Sequence, residues 1–123
     1  MSMFKVNLTA INIKDENMKT PPVEVLVDTG SELSWLPRQL LEDAGITIRG
    51  KKRFRTASNE MLERDFGYAV LSAEGFTTVD EIVFAEKSDM SLLGVRTIEG
   101  FGVMVDNIGH RFVATTSLCV SVI

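Results

Sequence analysis

Apolar and polar residues alternate at the start of the chain, with the two-residue period of a half-buried strand. Residues 4–9 read Phe-Lys-Val-Asn-Leu-Thr. A polar run at residues 14–17 and the Pro-Pro pair at residues 21–22 then predict a loop. Residues 23–27 (Val-Glu-Val-Leu-Val) predict a second strand, and its last three positions are all apolar. We therefore expect two strands separated by a loop, with the second strand running into the interior.

A short helix is predicted after these strands. Pro37 suits the first turn of a helix, where its missing N–H leaves no bond unmade. Residues 39–44 continue the helix, and Gly45 suits a left-handed C-terminal cap. The basic segment that follows, residues 49–55, is interpreted as the solvated edge of a strand rather than as a binding patch.

The rest of the chain predicts short strands separated by frequent turns. Strands are expected at residues 54–57, 62–71, 79–85, 92–93, 103–105, 111–113 and 118–123, with a brief helix at residues 95–99. Many short strands with one or two short helices indicate an all-β barrel or sandwich. The sequence has no internal repeat or linker, so residues 1–123 are expected to form a single domain.

Composition limits the function classes. The apolar and charged fractions, 45% and 24%, are ordinary for a soluble globular protein, and the net charge of -4 gives no electrostatic reason to expect nucleic acid or a membrane surface as a partner. Cys119 and His110 are each the single residue of their type, so a Cys/His zinc cluster is excluded, and no metal or other cofactor is expected. No apolar run resembles a signal peptide or a membrane helix. We therefore expect a soluble, cytoplasmic protein.

An ionisable residue follows directly on the apolar second strand. This residue is Asp28, and Thr29, Gly30 and Ser31 come after it. The glycine lets the backbone turn tightly beneath the carboxylate, and the serine adds a hydroxyl that can donate to it. A second apolar-apolar-glycine element lies at residues 92–94. The simpler alternative is that the aspartate only stabilises a turn at the end of a strand.

Residues 25–31 (Val-Leu-Val-Asp-Thr-Gly-Ser) resemble the active-site loop of aspartic proteases. The order of the later elements resembles the single-domain, retroviral-like branch of that family. A helix opens at residues 36–37, a hairpin stands where that family has its flap, and Leu-Leu-Gly at residues 92–94 precedes a second helix. The resemblance extends from about residue 4 to residue 113. It implies an all-β, retropepsin-like closed β-barrel that acts as a homodimer.

The resemblance also implies roles for the loop residues. Asp28 would hold and activate the attacking water, and Thr29 would form a hydrogen bond across the twofold axis. Gly30 would bring its backbone N–H close to the carboxylate, and Ser31 would support the outer carboxylate oxygen. Ser31 is a departure, because alanine is more frequent there in the retroviral-like branch and serine resembles the two-domain, pepsin-like enzymes.

Two further groups of residues receive roles from the resemblance. The flap tip, which would close over a substrate peptide, comprises Ala57, Ser58, Asn59 and Glu60. Asn59 stands where glycine is common in that family, but asparagine tolerates left-handed backbone angles better than most residues. Leu93 and Gly94 would pack beneath the catalytic loop.

The chemistry of paired carboxylates gives the same expectation of a dimer. Two carboxylates about 3 Å apart cannot both ionise, so they share one proton and serve as both base and acid. The chain has a single Asp-Thr-Gly or Asp-Ser-Gly triplet, so a twofold dimer is needed to supply the pair. We therefore expect an aspartic endopeptidase that acts on polypeptides through an Asp28/Asp28 dyad.

Other interpretations remain open. A protease-like peptide-binding or dimerisation module could keep the fold without turnover, since fold alone does not fix function, and a scaffold domain of a larger assembly is a third possibility. Trp35 is interpreted as a core residue or a tyrosine-like surface anchor, in preference to a wall of a substrate subsite. Asp106 is interpreted as the first residue of a hairpin turn and not as a second catalytic acid.

Overall fold

The computed structural model describes residues 4–115, and this part of the chain is an all-β fold with two short helices. The predicted strand at residues 118–123 lies outside the described residues. In chain order the elements are β1 (Lys5–Ile11), β2 (Val23–Val27), β3 (Ser34–Pro37), α1 (Arg38–Asp43), β4 (Gly50–Arg55), β5 (Met61–Ala73), β6 (Phe76–Ala85), β7 (Leu92–Leu93), α2 (Val95–Phe101), β8 (Val103–Asp106) and β9 (Arg111–Ala114).

Seven strands form one sheet in the order β1-β2-β7-β3-β6-β5-β4, and β8 pairs with β9 separately. Two of the pairings are parallel, β2 with β7 and β3 with β6. Strand β1 pairs twice, with β2 through residues 5–8 and with β5 through residues 9–11. One strand therefore connects the first and the later parts of the sheet.

The alternation in β1 sets its orientation. Val6, Leu8 and Ala10 are buried, as the two-residue period predicts. Strand β6 differs, because its last six residues are all buried and it is covered on both faces. Ile82 and Phe84 belong to the main core, whereas their neighbours on the opposite face pack in a second apolar cluster with Leu33 and Trp35. This second cluster adjoins the candidate site.

Strand β3 was not predicted from the sequence. The sequence predicts a helix that opens at residues 36–37 and assigns no element to residues 34–35, whereas residues 34–36 pair in parallel with residues 82–84 of β6. The strand is buried on both faces and so lacks the alternation that would reveal it. Pro37 is the last residue of β3 and the N-cap of α1, one position before the helical turn to which it was assigned. Gly45 has a φ of +71°, as the predicted left-handed cap requires.

Candidate active site

The loop that carries Asp28 is held by backbone hydrogen bonds on two sides. At the end of β2, the Val27 N–H donates to Phe4 O at 2.9 Å, and the Asp28 N–H donates to Leu93 O at 3.0 Å. The Ser31 N–H closes the turn by donating to Asp28 O at 3.1 Å. The aspartate therefore starts a turn whose backbone is fixed by Phe4, the residue before β1, and by β7.

The carboxylate of Asp28 is half-buried and accepts one hydrogen bond from its own loop. The Gly30 N–H donates to Asp28 Oδ1 at 2.9 Å, which is the arrangement that the resemblance implies for Gly30. A Cβ atom at Gly30 would lie 3.2 Å from the same oxygen, so a side chain there would crowd the carboxylate. Thr29 and Gly30 are exposed in the single chain.

Ser31 behaves differently from the role that the resemblance implies. Its hydroxyl donates to Leu33 O at 2.8 Å. A serine hydroxyl has one proton, so in this structure that proton stabilises the loop backbone and is not directed at Asp28. Support of the outer carboxylate oxygen by Ser31 stays a prediction for the assembled site.

Leu93 and Gly94 lie against the Asp28 loop. Besides the bond from the Asp28 N–H to Leu93 O, Gly94 approaches the loop backbone closely. A Cβ atom at Gly94 would lie 2.4 Å from Leu33 O and 2.5 Å from Leu33 C. Because those atoms are backbone, they cannot turn away, so this position requires glycine.

The first turn of α2 binds the other end of the loop. The Val95 N–H donates to Ser31 O at 2.8 Å, and the Arg96 N–H donates to Glu32 O at 3.1 Å. The first N–H groups of a helix have no partner within the helix, so here they bind loop carbonyls. The loop is therefore fixed along its length, between β7 and the start of α2.

The predicted flap is a hairpin formed by β4 and β5. Its tip comprises four exposed residues: Ala57, Ser58, Asn59 and Glu60. The Asn59 N–H donates to Thr56 O at 2.9 Å, and the Thr56 N–H donates to Glu60 O at 2.8 Å. Asn59 has a φ of +66°, so it occupies the left-handed region that glycine would occupy.

Asn59→Val is expected to lower the free energy of unfolding by about 1–2 kcal/mol, because the left-handed region, which asparagine tolerates, is strained for a β-branched side chain. Asn59→Gly is the matched control and should change that free energy by a few tenths of a kcal/mol, since glycine adopts this conformation freely. Urea unfolding of the two variants provides the measurement. Equal midpoints for both variants would contradict a left-handed turn at the tip.

One groove lies between the Asp28 loop and the hairpin. Asp28, Gly30 and Ser31 line one side, and residues 54–57 line the other. Its volume of about 740 Å³ falls within the roughly 300–1,000 Å³ of typical ligand pockets. Of the four residues at the flap tip, Ala57 alone lines the groove in this structure. The catalytic candidate and the stem of the hairpin thus face a common space.

The walls of the groove are mainly apolar. Trp35 and Phe54 have ring centroids 4.9 Å apart, and both line the groove, as do Leu62 and Leu92. Trp35 therefore packs in the second apolar cluster and lines the groove at the same time. Phe54 was not identified as a site residue from the sequence, although an aromatic residue among the basic residues of an edge strand indicates an inward-facing position.

Asp106 lies outside this groove, in the hairpin between β8 and β9. Its carboxylate accepts hydrogen bonds from the backbone N–H groups of Gly109 and Ile108, at 2.9 Å and 3.0 Å, and pairs with Arg111. The bond from Gly109, followed by those from Arg111 and Ile108, lowers the pKa of Asp106 below its ordinary value. The residue stabilises its own turn, as its position in the sequence suggests.

Residues 4–115 contain neither a cluster of metal-ligating side chains nor a membrane-spanning helix. No group of three or more histidine, cysteine, aspartate or glutamate side chains in that range could hold a metal ion. No helix in the same range is long and apolar enough to cross a membrane.

The family model described as "Aspartyl protease" matches residues 10–97, which include the Asp28 loop, the hairpin and Gly94. The chain belongs to the aspartyl protease family. A search of curated proteins found no match. The expectation drawn from the loop motif and the order of the elements is thus confirmed at the level of the family.

Solved structures similar to this family member are retropepsin-like. The Simian Foamy Virus (mac) protease has a TM-score of 0.52 and 16% identity, with 78% of this chain and 92% of that chain covered. The retroviral protease-like domain of Ddi1 from Leishmania major has a TM-score of 0.53 and 16% identity, with 86% and 82% covered. A foamy viral protease-reverse transcriptase, solved in complex with double-stranded DNA, has a TM-score of 0.52 and 14% identity over 77% of this chain, which spans only 14% of that longer chain. At these identities the likeness shows the fold.

Proposed function

We propose that this protein is an aspartic endopeptidase, which hydrolyses peptide bonds as a homodimer with Asp28 of each chain in one catalytic pair. The observation that carries the proposal is the position of the Asp28 carboxylate. It is half-buried, accepts a hydrogen bond from the Gly30 N–H at 2.9 Å, and lines a groove whose other side is formed by the β4–β5 hairpin. Membership of the aspartyl protease family supports a hydrolase in general.

The proposed chemistry uses two carboxylates that share one proton. The ionised Asp28 takes a proton from a water molecule as the water oxygen attacks the substrate carbonyl carbon. The protonated Asp28 of the second chain gives its proton to the carbonyl oxygen, which forms a neutral tetrahedral diol. The first Asp28, now protonated, then gives its proton to the amide nitrogen, while the ionised Asp28 of the second chain takes a proton from a hydroxyl of the diol. The C–N bond breaks, the products are a carboxylic acid and an amine, and the pair returns to its starting protonation.

The proposed dimer follows from the chemistry and from the exposure of the loop. One chain supplies one Asp-Thr-Gly triplet, and Thr29 and Gly30 are exposed in it, so they are accessible to the same loop of a second chain. Thr29 is assigned the hydrogen bond across the twofold axis. The double pairing of β1 with β2 and β5 supports a closed barrel within each single-domain protomer.

The proposed substrate is an extended polypeptide segment. Such a segment would add as a strand between the Asp28 loop and the hairpin, with main-chain hydrogen bonds for affinity. The apolar walls formed by Trp35, Phe54 and Leu62 would accept its side chains. The net charge of -4 supports a polypeptide partner over nucleic acid.

The proposal is tested by incubation with a mixed peptide library, with and without a statine-type inhibitor that mimics the tetrahedral intermediate. We expect cleavage that the inhibitor abolishes, because transition-state analogues bind far more tightly than substrates. A serine-protease inhibitor is the control for contaminating enzymes and should have no effect. Peptide binding without cleavage would contradict the proposal and would favour the non-catalytic module.

Thr29→Val is expected to weaken the dimer about tenfold or more, because each of the two chains loses a hydrogen bond of about 1 kcal/mol. Sedimentation equilibrium measures the dissociation constant. Thr77→Val, at an exposed position of β6, is the matched control and should leave it unchanged. Sedimentation that shows only monomer at high concentration, with or without a peptide ligand, would contradict the dimer.

A further inference from the structure

Three polar side chains are buried together beneath the Asp28 loop, where β3, β6 and α2 meet. Ser34 and Thr97 are fully buried, and Asp80 is 8% exposed. They form one continuous chain of hydrogen bonds that starts at the backbone of Gly94. The Gly94 N–H lies 2.9 Å from Ser34 Oγ, Ser34 Oγ lies 2.7 Å from Thr97 Oγ1, and Thr97 Oγ1 lies 3.0 Å from Asp80 Oδ2.

The direction of every hydrogen bond in this series follows from the carboxylate of Asp80, at which the series ends. A carboxylate only accepts hydrogen bonds, so Thr97 donates its single proton to Asp80. Ser34 must then donate to Thr97, which leaves a lone pair of Ser34 to accept the Gly94 N–H. All the donors therefore point towards Asp80, and aligned hydrogen bonds of this kind polarise and strengthen one another.

Both oxygens of Asp80 are held in place. While Oδ2 accepts from Thr97, Oδ1 accepts the Glu81 N–H at 2.7 Å and lies 3.6 Å from Arg96 Nη2. Arg96 also donates to Glu81 Oε2 at 2.7 Å. The carboxylate is thus a fixed acceptor at one end of the chain, anchored to β6 and to α2.

At its other end, this series of hydrogen bonds begins at Gly94, the residue that contacts the catalytic loop. Gly94 follows Leu93, whose carbonyl oxygen accepts the Asp28 N–H at 3.0 Å. Gly94 also lies so close to Leu33 O that no side chain fits between them. A shift of Gly94 would therefore move the acceptor of the Asp28 N–H, and with it the Asp28 carboxylate.

We propose that Asp80, Thr97 and Ser34 are positioning residues, which hold the Asp28 carboxylate in its reactive orientation through Gly94 and Leu93. The inference rests on the proposed function, because it concerns the same catalytic group. Burying a carboxylate and two hydroxyls is costly unless each finds a partner, and apolar side chains of similar volume would fill the space without that cost. Orientation of the loop accounts for their presence.

Thr97→Val tests the proposal, because it removes the central hydroxyl while preserving the shape of the side chain. We expect kcat for peptide hydrolysis to fall by roughly 10- to 100-fold, the effect of a catalytic group displaced by about 1 Å, with KM nearly unchanged because the groove walls are untouched. Thr97→Ser should restore most of kcat. Thr78→Val is the matched control, since Thr78 also lies against α2, at Gly100, but outside this chain of bonds.

Amide hydrogen exchange gives a second measurement that does not depend on turnover. The Asp28 and Gly94 amides should exchange faster in Thr97→Val and at the wild-type rate in Thr97→Ser. Ser34→Ala breaks the chain at its other end and replaces Thr97→Val if that variant does not fold. Wild-type kcat and wild-type exchange at both amides in a folded variant would overturn the proposal.

If the wild-type protein hydrolyses no peptide, the proposed function fails by itself, and unchanged exchange at Asp28 in the variant then overturns the positioning role.

Discussion

Asp28→Asn is expected to lower kcat for peptide hydrolysis by roughly 10⁴-fold, which is typical for the loss of a central catalytic group. In the proposed pair, asparagine can neither accept the proton of the attacking water nor hold the shared proton. The shape of the side chain is kept, and its amide oxygen can still accept the Gly30 N–H that now binds Oδ1 at 2.9 Å. The dimer should therefore persist while the chemistry is lost.

Steady-state kinetics and sedimentation of the same sample separate these two effects. Asp106→Asn is the matched control, because Asp106 is also half-exposed and bonded to a glycine N–H, but lies in the β8–β9 hairpin. That variant should keep most of the activity. Wild-type turnover by Asp28→Asn on any cleaved peptide would show that the assignment of Asp28 is wrong.

Of the substitutions that break an ion pair, Arg64→Met is expected to lower the free energy of unfolding most, by about 3 kcal/mol. Arg64 and Asp89 are 14% and 10% exposed, and they form two bonds, of 2.7 Å from Nε to Oδ2 and 3.0 Å from Nη2 to Oδ1. Asp89 Oδ2 also accepts the Glu86 N–H at 2.8 Å. Methionine keeps the apolar stem of the side chain but leaves a largely buried carboxylate without its cation, and this accounts for most of the cost.

The loss should depend on pH with a defined sign. The bond from Arg64 lowers the pKa of Asp89 below its ordinary value. A carboxyl group whose pKa is lowered by folding stabilises the protein at every pH above the pKa that the group has in the unfolded chain, about 3.9 for aspartate. That stabilisation is lost as the pH falls through the lower pKa that the group has in the folded protein. The difference between wild type and Arg64→Met should therefore be largest near neutral pH and should shrink below about pH 4.

Urea unfolding at neutral and at acid pH provides the measurement. Lys5→Met is the matched control, because the pair of Lys5 with Glu24 is 61% and 67% exposed and its atoms lie 3.6 Å apart. An exposed pair of this kind contributes at most about 1 kcal/mol. An equal loss for Arg64→Met at both pH values would show that the stability comes from packing of the stem and not from the charge of Asp89.

Sequence reasoning was most successful where the signal is local. The alternation in residues 4–9 predicts β1, and an acid with a glycine after an apolar strand predicts the turn at Asp28. Each of these features depends on residues within a few positions of one another, so it can be recognised in a single sequence.

The features that were missed depend on distant pairings. Strand β3 exists because it pairs with β6, and its burial on both faces removes the alternation that marks a strand. The chain from Ser34 through Thr97 to Asp80 joins residues 63 and 17 positions apart. Ser31 was misjudged for a local reason. Its hydroxyl donates to Leu33 O, only two residues away, and not to the Asp28 carboxylate.

Strand β4 has a consequence for the behaviour of the protein at high concentration. Among residues 4–115 it is the last strand of the seven-stranded sheet and pairs only with β5, so its other edge could recruit a strand from another molecule. Four of its six residues are basic (Gly-Lys-Lys-Arg-Phe-Arg). Charged side chains on an edge strand hinder its pairing with a strand of another molecule, although Lys51, Lys52 and Arg53 also pair with acids of the same molecule. The basic segment thus protects the sheet against edge-to-edge aggregation.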